Sequence, residues 1–124
     1  MKPILAYFKE TGNKYRWDAD CDGAPFEIYI PKLRVPEPIP EIIQVGIYNI
    51  EDKQFGSITG IQVPNSDVSK PIIALLKFKD EKTKTVRYDP MNEFKLEIGS
   101  PYIPISLLTF PYPDKLTIKI DWKK

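Results

Sequence analysis

The chain has 124 residues, near the usual size of one domain, and 42% of them are hydrophobic, so a single packed domain over residues 1–124 is expected. The 18 Lys+Arg and 17 Asp+Glu nearly cancel. That argues against a nucleic-acid partner, since phosphate neutralisation draws on a basic excess. There is no His and one Cys, which excludes Ser-His-Asp and Cys-His catalysis, imidazole or all-thiolate zinc sites and an internal disulfide.

Taken in chain order, the sequence is a series of short β-branched and aromatic runs broken by Pro, Gly, Asn and Asp. Residues 4–9 and 14–18 flank Glu10-Thr11-Gly12-Asn13, a hairpin turn. In Phe26-Glu27-Ile28-Tyr29-Ile30 the apolar residues Phe26, Ile28 and Ile30 share one face. Pro36-Glu37-Pro38-Ile39-Pro40 reads as an extended connection, because proline donates nothing to a ladder. Residues 42–50 are apolar on both faces, as in a central or well-covered strand. A turn at 51–54 leads to a further strand at 56–63, whose glycines Gly56 and Gly60 read as bulge or close-packing positions.

Residues 72–79 and 83–89 form a hairpin through Asp80-Glu81-Lys82, although Ser69-Lys70-Pro71 could instead open a helix over 72–76. Phe94-Lys95-Leu96-Glu97-Ile98 alternates like a strand, with one helical turn over 89–96 as the alternative. The last strand carries Leu116, Ile118, Ile120 and Trp122 on its core face, and residues 103–110 are its expected partner. About nine or ten such strands at this spacing predict an antiparallel β-sandwich, with a partly closed barrel as the alternative.

Asp18-Ala19-Asp20-Cys21-Asp22-Gly23 carries the sharpest local motif. Carboxylates at alternate positions followed by Gly match the opening of a calcium loop, making Asp18, Asp20 and Asp22 candidate metal ligands with Glu27 as an extra one. The twelfth position is Tyr29 rather than a bidentate Glu, so the motif is incomplete, and a solvated acidic turn is the plainer reading. The acids would also raise the pKa of Cys21.

Among the aromatic residues, Trp17, Tyr29 and Tyr112 are the candidate ligand-binding side chains: Trp17 ends a strand beside the acidic loop, Tyr29 lies off the core parity and Tyr112 sits between prolines. The amino-terminal apolar run is too short for a signal peptide and no run is long enough to cross a bilayer, so a soluble cytoplasmic protein without a membrane partner is expected. The function expected is a non-catalytic binding or protein-interaction module for an unknown protein or small ligand, with a homodimer as one use of a free strand edge. A calcium-binding β module and a small carboxylate-dependent hydrolase are the alternatives.

Overall fold

A computed structural model describes residues 3–49 and 68–123 of the chain. Eight antiparallel strands are present among them: β1 (Ile4–Thr11), β2 (Lys14–Cys21), β3 (Ala24–Pro31), β4 (Ile42–Asn49), β5 (Ile72–Glu81), β6 (Thr85–Pro90), β7 (Tyr102–Pro104) and β8 (Lys115–Lys123). Single 3₁₀ turns occupy Lys32–Arg34, Asn92–Phe94 and Ile105–Leu107. The expected turn at 51–54 and strand at 56–63, with its two glycines, lie outside the described residues.

The first two hairpins follow from their turn residues. Thr11 pairs with Lys14 around Gly12-Asn13, and Gly12 takes a φ of 55° at the first central position, where a type II′ turn requires it. Cys21 pairs with Ala24 around Asp22-Gly23, and both central residues have positive φ, 54° and 83°, the requirement of a type I′ turn. The Asp-Gly pair of the calcium-like motif is thus a hairpin turn.

The strands close in the order β1-β2-β3-β7-β6-β5-β8-β4, with β4 bonded back to β1 through the Leu5–Ile43 pair and its neighbours. The expected sandwich is corrected to its alternative, a barrel, and one that closes fully. Alternation fixes which face is inside, and a sandwich and a barrel demand the same alternation. Register shifts between Tyr7 and Lys9 and between Phe78 and Asp80 add local twist, which helps a sheet to curl.

Two further expectations are corrected. Residues 94–98 do not form a strand: the Asn92–Phe94 turn buries Phe94 and Ile98 and leaves Leu96 outside, a spacing of four rather than two. The alternative of a helical turn over 89–96 holds in part: Asn92–Phe94 is a single 3₁₀ turn, while residues 89–90 belong to β6. Residues 103–110 do not partner β8, which runs between β4 and β5. Only Tyr102–Pro104 is extended, pairing with β6 and, at Tyr102–Glu27, with β3. Pro101 and Pro104 bracket it and cannot donate to a ladder. Residues 72–76 belong to β5, not to a helix.

Leu5, Phe26, Ile28, Ile30, Ile43, Val45, Ile72, Ala74, Leu76, Val86, Tyr88, Ile118 and Ile120 fill the barrel interior, each with no exposed surface. Trp122 closes the row Leu5–Ile43–Trp122 at the rim and is half-buried rather than fully core. No helix among the described residues is long and apolar enough to cross a membrane.

Candidate functional site

The barrel has two chemically different ends. At the first, here the strap end, the Gly12-Asn13 turn, residues 32–41, residues 68–71 and residues 92–99 meet. Asn13 O accepts from Lys32 N, and Tyr29 O accepts from Gly99 N. Trp17 donates its indole N–H to Pro40 O at 2.9 Å, and Tyr7 N donates to Glu41 O, so the proline-rich connection is strapped across this end. Beneath the strap, Tyr7, Tyr15 and Trp122 surround Trp17, with ring centroids 5.6–6.4 Å from it and mostly edge-on.

A buried ion pair locks the same end. Arg34 and Glu97 are 4% and 5% exposed, and Arg34 Nε lies 2.9 Å from Glu97 Oε1. The remaining guanidinium nitrogens donate to carbonyls of the chain entering β5: Nη1 to Val68 O at 3.2 Å, and Nη2 to Lys70 O at 3.0 Å and Pro71 O at 3.3 Å. Trp122 Nε1 also donates to Lys70 O. A rigid fork of donors suits this better than an ammonium would.

Over this pair lies a groove of about 310 Å³ lined by Asn13, Pro31, Lys32, Leu33, Arg34, Leu96 and Glu97. Leu33 is 95% exposed and Leu96 is 79% exposed. Lys32 is tied to Glu10 in an ion pair, which raises its pKa.

The other end, the turn end, is made by the Asp22-Gly23 turn, residues 82–84 and residues 105–114. Tyr88 reaches up from the core to donate its hydroxyl to Pro113 O at 2.7 Å. Burial, with Asp114 and Tyr112 adding to it, pushes the Tyr88 pKa up to about 12. A groove of about 210 Å³ lined by Ile47, residues 107–111, Pro113 and Leu116 opens here. Phe110, 78% exposed, stands beside it with the Tyr112 ring edge-on at 5.4 Å.

The residues expected to bind a ligand are not brought together. Trp17 is fully buried and its one polar atom is bonded, so it is a core residue and offers no surface. Tyr29 is half-buried on the outer barrel face, where its hydroxyl lies 3.4 Å from Glu27 Oε1 and its ring 5.8 Å from the Arg16 guanidinium. Burial first, and then the Glu27 charge, raise its pKa. Tyr112 is at the turn end, half-buried against Phe110.

The candidate metal ligands are dispersed as well. Asp18 takes Arg16 at 2.7 Å, and Glu27 takes the same guanidinium at 2.8 Å. The ionised partners hold Arg16 above its ordinary pKa, the Asp18 hydrogen bond most of all. Asp20 lies two residues along β2 from Asp18, a rise of about 7 Å, and Asp22 sits in the hairpin turn. No group of three His, Cys, Asp or Glu side chains among the described residues is close enough to hold a metal ion. Cys21 lies beside the turn, its pKa raised by burial and then by Asp20 and Asp22.

Sequence reasoning missed Leu33, Leu96 and the Arg34–Glu97 pair. A signal did exist for the leucines: each stands alone between charged residues, in Lys32-Leu33-Arg34 and Lys95-Leu96-Glu97. A strand parity for Leu96 hid it. No family model matches the chain, and no curated protein matches it in sequence.

Proposed function

We propose that this protein is a non-catalytic binding module that takes a peptide segment of a partner protein in the strap-end groove. The observation that carries this reading is the joint placement of Leu33 and Leu96. Two of the most exposed large apolar side chains among the described residues line one groove, over a floor fixed by a buried ion pair. Large apolar groups left in water on a rigid base are what a contact surface presents. Pairing through a free strand edge is a poor alternative, because closure gives each of the eight strands two neighbours.

The test is selection of a random peptide library on the folded protein. Enriched peptides should carry an apolar side chain, lose about tenfold or more in affinity on Leu33→Ser or Leu96→Ser, and keep it on Phe110→Ser. Peptides indifferent to both leucines would overturn the reading. The exposed Phe110–Tyr112 pair supports a second contact surface at the turn end, and loss on Phe110→Ser alone would move the function there.

A further inference from the structure

Away from the strap-end groove, the outer face of β1 and β4 carries an apolar patch. Ile4 is 57% exposed, Phe8 55% and Ile42 41%, and Ala6 between them is exposed as well. Leu5 and Ile43 point into the barrel, so Ile4, Ala6 and Ile42 point out, and Ala6 and Ile42 are cross-strand partners. Phe8 turns outward too, its ring lying 4.5 Å from the guanidinium of Arg16, whose partners Asp18 and Glu27 are on the outer face. Large apolar groups gathered on one strand pair mark a contact surface.

The charges flanking this patch differ in sign. On the β2–β3 side stand Asp18, Asp20 and Glu27 with Arg16; on the β8 side stand Lys119 and Lys123 with Asp121. One row crosses four strands: Lys123 lies opposite Ile42, Ile42 opposite Ala6, and Ala6 opposite Asp18. The row runs basic, apolar, apolar, acidic, and is therefore complementary to its own reverse. A two-fold axis parallel to the strands, passing between Ile42 and Ala6, sets Lys123 of each copy over Asp18 of the other and Ile42 over Ala6. The next row brings Asp121 toward Asp20, a like-charge approach that Lys119, 3.9 Å from Asp121, offsets. The whole chain carries 18 cations against 17 acids, so two copies meet with little net repulsion.

We infer that the outer face of β1 and β4 joins two copies of this chain in a two-fold dimer, with the apolar patch at its centre and opposite charges at its rims. The surface is separate from the strap-end groove, and neither reading depends on the other.

The experiment is sedimentation equilibrium on the whole protein from about 10 μM to about 1 mM. A dimer is expected, weakened by added salt because its rims are charged. Ile4→Thr and Ile42→Thr keep β-branched residues at exposed strand positions and should each weaken association about tenfold or more. Lys123→Glu should weaken it about threefold or more, and Leu33→Ser should leave it unchanged. Dilution should shift the amide NMR signals of Ile4, Ala6 and Ile42. If the threonine variants do not keep the native circular-dichroism spectrum, the dilution shifts of the unaltered protein decide. A monomer throughout the range, or a dimer indifferent to Ile4 and Ile42, overturns the inference. Indifference to Lys123→Glu overturns the two-fold arrangement, and loss on Leu33→Ser alone would seat the second copy in the groove instead.

Discussion

The strap end and the turn end of the barrel solve the same problem by different chemistry. A closed barrel must cover the side chains at its two mouths. At the strap end this is done by a buried charge pair, three carbonyls and an aromatic cluster under a proline-rich segment. At the turn end it is done by one tyrosine hydroxyl bonded to a loop carbonyl and by apolar packing of residues 107–116. Among the described residues, the first arrangement joins partners far apart in the sequence, Arg34 and Glu97 being 63 positions apart, while the second joins nearer ones, Tyr88 and Pro113 being 25 apart. A mouth held by long-range polar contacts should be costly to damage and rigid enough to support a recognition surface; one held by nearer contacts should tolerate more.

The contrast is tested most severely at the ion pair. Arg34→Met leaves Glu97 buried without its partner and should cost about 3–5 kcal/mol in a urea unfolding experiment. Replacing both, Arg34→Met with Glu97→Leu, should cost clearly less, since no uncompensated charge remains. Equal losses in the single and double variants would mean that the three carbonyl bonds, not the pair, lock this end.

Trp17→Phe comes next. It removes the bond to Pro40 O and leaves a gap under the strap, and should cost about 2 kcal/mol. A loss as small as that of the following variant would remove the claimed asymmetry between the ends.

Tyr88→Phe, at the turn end, should cost only about 1 kcal/mol through the lost bond to Pro113 O. It also carries a pH signature. The folded-state pKa of Tyr88 is raised to about 12 from an ordinary value of 10.0, so the unfolded chain releases the proton first. Its contribution is complete below pH 10 and is lost as pH rises through about 12. Alkaline unfolding of the Phe variant should therefore fall less steeply across that window, read by the urea midpoint at each pH.

The smallest expected effect is that of millimolar calcium on the melting midpoint, which should not move, because Asp18 is engaged by Arg16 and the three aspartates do not converge. A rise of several degrees would mean that an ion gathers them in solution.

How much of this was legible in the sequence depends on the range of the contact. Local patterns carried far: the two-faced apolar run of β4 does sit between β1 and β8, and Leu116, Ile118 and Ile120 do face the core. The acidic motif contained its own correct plain reading, since Asp-Gly between alternating runs is a hairpin signal before it is a metal signal. What stayed hidden was pairing. Nothing in the alternation of β1 says that it bonds to β4. Nothing singles out Arg34 among the 18 Lys and Arg residues, or Glu97 among the 17 acids. Phe94, Leu96 and Ile98 show the same limit: three apolar residues at a spacing of two satisfy a strand, yet two of them at a spacing of four satisfy a turn equally well.

The position of β8 has a consequence for the order of assembly. It is the latest described strand along the chain, yet it lies between β4 and β5, both made earlier. During synthesis β4 and β5 each wait with one unbonded edge, and the ring cannot join until Lys115–Lys123 has left the ribosome and slotted between them. Until β7 and β8 emerge the nascent chain holds two separate ribbons, β4-β1-β2-β3 and β5-β6, and their four exposed edges are the place where a chaperone would have the most to protect.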